Sequence, residues 1–350
     1  YSGGATCPSL LLEPSRTNLI VQSEYFGSSY WTKSGASVVS GFTSPEGLSN
    51  AYKLVEDTST GGHQIFRRIV VTATDNYASL YAKPSGRDWI VLYDTYRDQG
   101  RYFNISTGVI GGVYRFAPVS EFIEPFQNGY YRIGIGVTSS TIDYQLQVLL
   151  ADSDGGAVYT GDGTSGVFIY GAQIESGSYP TSYIPTYGVS QTRAADSCLL
   201  NNSSALPTAY PFTLYSESII KSIGSEVLMS FLNTSDNVSY AAIITSSGVP
   251  SLNARSSSSD VSLVSPDSVA EGVVKIVGVF ESSTLKLFVN GALKASISNT
   301  TTFQSGWNDL LVGQLRTITD TGSRTTNKQT IIFPTALSDL DAEILTGATT

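Results

Sequence analysis

Four residues of one short stretch, Trp89, Tyr93, Tyr96 and Arg97 in "WIVLYDTYRDQG", have the chemistry of a sugar-binding surface. Aromatic rings stack on the apolar faces of pyranoses, and polar side chains beside them hydrogen-bond to the hydroxyls. If the stretch is a strand, Trp89 and Tyr93 share a face, because strand side chains alternate with a period of two. The residues between Asp88 and Asp94 are also apolar enough for a strand buried on both faces. A platform and a core position are therefore both open to Trp89. Trp31 in "SYWTK" and Trp307 in "SGWNDL" are isolated aromatics that fit a core equally well.

Catalytic chemistry is poorly supplied. A Ser–His–Asp arrangement would need His63, the sole histidine, and "STGGHQIF" reads as a turn entering a strand with a partly exposed imidazole. Glycosidase chemistry needs two carboxylates roughly 5 to 10 Å apart. Glu121 with Glu124, or Asp94 with Asp98, are the candidates, and such pairs are ordinary on an acidic surface. "GGV" and "GDGTSG" read as turns rather than phosphate loops. The chain is expected not to be an enzyme. Cys7 and Cys198 fall short of any zinc pattern. They are either buried small residues or one bridge that closes the first domain onto its own beginning.

The elements that would position these groups follow from composition. The 350 residues are enough for two domains with their own cores. Charged residues make up only 14%, while Gly (33) and Tyr (21) are abundant, which suits short strands joined by tight turns. A net charge of -9 argues against nucleic acid, whose phosphates require clustered Lys and Arg. No apolar run approaches the roughly 20 residues of a membrane span. The opening "YSGGATCPSLLLEP" begins at Tyr1 and reads as the middle of a longer protein, so an upstream part is expected.

Strand candidates come quickly: Ile65–Ala73, Tyr77–Pro84, Trp89–Tyr96, Arg101–Ile110, Gly129–Val137, Tyr144–Ala151 and Gly166–Ile174. Each is bounded by turn formers, the spacing of an antiparallel sandwich. "GAQIESGSYPTSYIPT" ends the last of them in a Pro- and Tyr-rich tail, expected to close the sandwich edge. An Asn/Ser/Pro connector around Asn201–Pro207 then leads to Pro211–Ile220, Glu226–Asn233 and a hairpin over Val273–Ile297. There Asn290–Gly291 supplies the positive φ angles of a two-residue type I′ turn. Ser338 is an N-cap candidate for a short final helix with Asp341 three residues on, Leu340 and Ile344 on one face, and Gly347 as the stop.

"CPSLLLEPSRTNLIVQSEYF", "YWTKSGASVVSGFTSPEGLSNAYKLVED", "YASLYAKP", "ISTGVI", "NGYYRIGIGV", "VFIYGAQIESGSYPTSYIPT" and "TRAAD" occur in an order that resembles the carbohydrate-binding-type sandwich of bacteriophage tail and appendage proteins. "PFTLYSES", "KIVGVFESSTLKLFVNGAL", "DLLVGQ" and "IIFPTALSDLDAEILTG" are similar to a concanavalin A-like, laminin-G-type jelly roll. The resemblance implies an all-β protein of two consecutive antiparallel sandwich domains, residues 1–198 and 199–350, with a short C-terminal helix. It implies a non-catalytic virion appendage, a tail or head fibre module, that binds host cell-surface polysaccharide. Other virion proteins would be partners, self-association into a homo-oligomer such as a trimer is expected, and the location would be the virion surface or extracellular. Two alternatives stay open: an ancillary module of a capsule depolymerase, and a purely structural decoration protein. Jelly rolls of this kind often hold calcium, and Asp152, Asp154 and Asp162 in "ADSDGG" and "TGDG" offer hard oxygen ligands, with Asp–Gly turns the plainer reading. No cofactor is required by the sequence, and structural calcium is the one candidate.

Overall fold

The computed structural model describes residues 10–71, 75–138, 143–201, 203–220, 225–233, 240–303, 307–313 and 325–347. Among the described residues it is all-β apart from one short α-helix and a single 3-10 turn at Gln127–Gly129, and the chain divides into two compact units. Among the described residues no helix is long and apolar enough to cross a membrane.

Residues 16–193 form an antiparallel sandwich of two six-stranded sheets. One sheet runs, edge to edge, through Val109–Arg115, Gln99–Asn104, Trp89–Asp94, Asp143–Ala151, Gln64–Val70 and Thr32–Ser34. The other runs through Ser120–Pro125, Tyr131–Val137, Asn76–Ser85, Gly166–Ser176, Ala51–Glu56 and Ala36–Phe42. Ile90, Leu92, Leu146 and Val148 of the first sheet share a core with Leu80, Ile133, Ile135 and Ile169 of the second. Alternation then sends Trp89, Val91 and Tyr93 to the outer face. The expected single strand Arg101–Ile110 is instead a hairpin. The Asn104 side chain accepts from the N–H groups of Ser106 and Thr107 (3.0 Å each), and Gly108 takes φ 73° to complete the turn.

The Tyr- and Pro-rich tail after Ser176 is a brace. Buried Glu175 accepts from the N–H and hydroxyl of Thr181 (2.8 and 2.6 Å), and the side-chain Oε1 of Gln173 accepts from the N–H of Ile184 (2.7 Å). Asn18 donates to the carbonyls of Ala172 and Ile184, so the tail, the last strand and the segment entering the sandwich are tied at one residue. The ring of Tyr183 lies 5.7 Å from that of Tyr170. Backbone groups that no strand pairs are satisfied by side chains, as burial requires.

The second unit comprises residues 10–15 and 194–347 among those described. Its two six-stranded sheets follow the orders Leu10–Leu12, Thr325–Phe333, Phe212–Ile220, Gly272–Phe280, Thr284–Val289, Ala292–Ser298 and Cys198–Leu200, Asp309–Val312, Ser225–Leu232, Tyr240–Ser246, Val249–Arg255, Asp260–Val264. The chain divides elsewhere than at 198/199 because both sheets take an edge strand from upstream. Leu10–Leu12 pairs with Thr325–Asn327, and Cys198–Leu200 pairs with Leu310–Val312. Glu13 and Asp196 hold these upstream segments together: Glu13 N–H donates to the Asp196 carboxylate (3.0 Å) and Asp196 N–H to the Glu13 carbonyl (2.9 Å). Cys198 is a half-buried free thiol in this unit rather than at the end of the first sandwich, and Cys7 lies outside the described residues.

Asn290 (φ 47°) and Gly291 (φ 88°) make the expected two-residue turn between Thr284–Val289 and Ala292–Ser298. The helix Asp339–Thr346 is capped by the Ser338 hydroxyl, which accepts the Asp341 N–H (3.1 Å). Its packing face differs from expectation. Leu340 and Ile344 are 65% and 68% exposed, whereas Ala342 and Leu345 pack on Tyr215, Val277 and Phe288. The small Ala342 lets the helix approach the sheet more closely than a leucine at that position would.

Candidate functional site

The outer face of the sheet containing Trp89–Asp94 is laid with aromatic rings. Directly opposed residues on neighbouring strands share a face, so the pairing of Tyr93 with both Gln147 and Gly100, and of Val91 with both Leu149 and Tyr102, defines successive rows. Two glycines shape these rows. A Cβ on Gly100 would come within 3.1 Å of the Tyr93 ring, and one on Gly111 within 2.5 Å of Cζ3 of Trp89. The rings therefore occupy space that only glycine leaves open. Gly111–Gly112, which read as a turn, lies in mid-strand for this reason.

Tyr93, Tyr102 and Tyr114 pack edge-to-face, with ring centroids 4.9 Å (Tyr93–Tyr114) and 5.7 Å (Tyr102–Tyr114) apart. Tyr93 and Tyr102 are buried in this cluster, while Trp89 and Tyr114 stay half-exposed. The other two tryptophans, Trp31 and Trp307, are core residues at 2% and 1% exposure. Polar groups rim the rings. Asp154 accepts the Gly112 N–H with both carboxylate oxygens (2.8 and 3.0 Å), and the Arg115 guanidinium lies 5.5 Å from the Tyr114 ring centre. The Tyr93 hydroxyl donates to Asp98; burial, with that carboxylate beside it, pushes the phenol above its ordinary range and keeps it a neutral donor.

Trp89 and Tyr93 thus share a face, as their spacing requires, but the other two sugar-binding candidates are elsewhere. Arg97 turns beneath the sheet, where it donates to the buried Asp94 (2.5 Å) and lies 5.0 Å from the Tyr144 ring centre. Tyr96 is 43% exposed in the turn, with Arg68 5.2 Å from its ring centre. Sequence reasoning did not single out Tyr102 and Tyr114; the signal that carries them is the phase of the two strands, Gln99–Asn104 and Val109–Arg115, once the hairpin between them is recognised.

The remaining chemical candidates separate. Asp94 faces the interior and Asp98 the exterior, while Glu121, ion-paired with Arg101, and Glu124 stand three residues apart on one strand and so on opposite faces. His63 is fully buried rather than partly exposed. Its Nδ1 lies 2.6 Å from the Gly35 carbonyl oxygen, within a brace between loops. Asp162 caps its own turn, where hydrogen bonds from Ser165 and Thr164 hold its carboxyl well below the usual range. Asp152 accepts from the adjacent Ser153 hydroxyl (2.8 Å), while Asp154 belongs to the Gly112 contact. The three aspartates do not meet. Among the described residues no group of three or more His, Cys, Asp or Glu side chains is arranged to hold a metal.

No family model matches the chain, and no curated protein matches it. Solved structures similar to parts of it include the Ruminococcus gnavus IT-sialidase CBM40, at 13% identity and TM-score 0.36, covering 44% of this chain and 97% of that one. Domains LG4-5 of the mouse laminin alpha1 chain match at 8% identity and TM-score 0.30, covering 81% and 90%. A SAP-like pentraxin from Limulus polyphemus matches at 14% identity and TM-score 0.34, covering 40% and 71%. At those values the matches assign neither a family nor a ligand to this chain.

Proposed function

We propose that the chain is a non-catalytic adhesive module of a phage appendage, a tail or head fibre, and that its first sandwich binds polysaccharide on a host surface. The observation supporting this reading is the ring-laid outer face, where Trp89 and Tyr114 stay half-exposed among Asp154, Asp98 and Arg115. Such a shallow face suits stacking on pyranose rings with polar groups at the margin. Each contact is weak, and repetition on one virion raises the effective concentration enough to make it useful.

The test is a glycan array probed with the full chain and its Trp89→Ala variant. A single ring contributes about 1–2 kcal/mol by analogy with aromatic contacts generally, so binding should weaken roughly tenfold while the chain stays folded. Unchanged binding in a folded Trp89→Ala chain removes the site, and a wild type that retains no glycan removes the function.

A second reading, decoration of the virion through protein contacts, is favoured by a separate observation. Val109, Val113, Phe116 and Val119 are 51%, 43%, 63% and 65% exposed at one edge of the same sandwich. Such apolar exposure is what a protein partner covers. In that case Val113→Lys would abolish incorporation into particles and leave glycan binding intact.

A further inference from the structure

One row of residues crosses all six strands of the sheet that carries the rings. Tyr114 opposes Gly100, Gly100 opposes Tyr93, Tyr93 opposes Gln147, Gln147 opposes Phe66, and Phe66 opposes Thr32. Opposed residues project from one face, so this row continues the ring-laid surface past Tyr93 to the far edge. Gly100 has no side chain, and the Tyr93 and Tyr114 rings meet over it. Beyond them Gln147 and Phe66 are half-exposed and Thr32 is exposed. Strands lie about 4.8 Å apart, so the row makes a strip roughly 24 Å long, the length of several linked sugars.

The amides of this strip are held in place. Gln145 Nε2 donates to the Thr95 hydroxyl (3.2 Å), which donates to Oε1 of Gln147 (2.8 Å), and Gln147 Nε2 donates to Oε1 of Gln64. A free glutamine loses rotamer freedom when it grips a ligand, and here the relay has removed that freedom beforehand. Each amide still has bonding capacity to spare, with two donor hydrogens and two acceptor lone pairs apiece. A sugar hydroxyl both donates and accepts, so it matches either. The row thus sets an amide between aromatic rings, hydroxyl chemistry between stacking faces.

We propose that the ligand is a neutral, unbranched polysaccharide lying across the strands along this row. The half-exposed rings Trp89 and Tyr114 take one end of the chain, Phe66 the other, and Gln147 the hydroxyls between. No member of the row is charged. Arg68 beside it is ion-paired with Asp143 (2.9 Å), and Arg97 is turned inward to Asp94. At the Tyr114 end, Asp98 and Asp154 accompany Arg115. A polyanion would meet these carboxylates and a net charge of -9, which disfavours it. A branch on the edge facing the sheet would lift the chain off Gln147 and Phe66. This inference rests on the reading of the first sandwich as a glycan binder, and it names the class of glycan and the residues that select it.

The experiment probes the full chain on an array printed with malto-, cello-, manno- and galacturono-oligosaccharides of two to six sugars. Signal should fall on a neutral series and strengthen at least roughly tenfold from the shortest chain to the longest, as successive contacts along the strip engage. Gln147→Ala should weaken binding of the six-sugar chain roughly fivefold without changing the melting temperature, because the side chain is half-exposed. Phe66→Leu, which keeps the bulk and loses the flat ring, should weaken it by a similar factor. Signal confined to the galacturonic series overturns the inference, as does a six-sugar chain held no tighter than a two-sugar one. Folded Gln147→Ala and Phe66→Leu chains that bind as the wild type does, while Trp89→Ala fails, also overturn it and leave the glycan-binding reading standing. A wild type that binds nothing on the array removes both.

Discussion

A chain that begins at residue 208 should fail to form a stable second sandwich, whereas residues 16–193 alone should fold and melt as they do in the full protein. Starting at 208 removes Leu10–Leu12 and Cys198–Leu200, the edge strand of each sheet in that unit. It takes away the 4%-exposed Leu12 and the core residue Leu206, each contributing about 1.5–3 kcal/mol through burial. It also bares the ladder groups of Thr325–Asn327 and Leu310–Val312, fresh edges for pairing with another chain. The combined loss, on the order of 5 kcal/mol, is comparable to the whole net stability of a domain. The rescue is specific: residues 10–15 joined by a short glycine linker to 194–350 should fold, because Glu13 and Asp196 already exchange hydrogen bonds. Urea unfolding of the three chains decides the matter. If the chain starting at 208 unfolds at the same midpoint as the second unit of the full protein, the upstream strands contribute nothing and this division is wrong.

That division was not legible because it depends on pairing between residues more than 300 positions apart. Local pattern marks Leu10–Leu12 as apolar, yet nothing near it in sequence says which sheet it completes. Local turn chemistry was legible. Asn290–Gly291 needs positive φ at both positions, and Ser338 with Asp341 has the spacing of a helix cap; both formed where the sequence placed them. For the candidate site the period of two correctly joined Trp89 with Tyr93. It could not follow Arg97, because alternation stops at the end of the strand and the Thr95–Asp98 turn, with Asp98 at φ 54°, redirects the side chain. Asp94 then draws the guanidinium inward over Tyr144, and burial still outweighs the pairing enough to raise the Asp94 carboxyl above its ordinary range. Gly111–Gly112 misled for a related reason. Glycine marks a turn by its backbone freedom, but here it serves by having no side chain beneath Trp89. The helix face was not fixed by spacing alone: a rotation about the helix axis, one or two residues at about 100° each, separates Leu340 and Ile344 from Ala342 and Leu345, and the sheet surface chooses between them.

Replacing Glu226 with Gln should make the second sandwich more stable at pH 8, and leave it unchanged near pH 4. Burial, with the Glu271 carboxylate nearby, pushes the Glu226 acid up to about 8 from an ordinary value of 4.5. The folded chain therefore holds this proton more tightly than the unfolded chain does. Between pH 4.5 and 8 the unfolded state has already released the proton and the folded state has not, so stability falls as pH rises through that window. A separation of this size corresponds to about 4 kcal/mol by pH 8, near 1.4 kcal/mol for each unit of pKa difference. Glutamine has the shape of the protonated acid and no proton to lose, so the variant escapes that fall. Below pH 4.5 both side chains are neutral in both states, and the two chains should melt together. Thermal unfolding of the second unit at pH 4, 6 and 8 reads the effect as a gap that opens with pH. A gap that is constant across the three values would mean that Glu226 does not titrate between folded and unfolded states, and a Gln chain less stable at pH 8 would mean that its carboxylate has a cationic partner in solution.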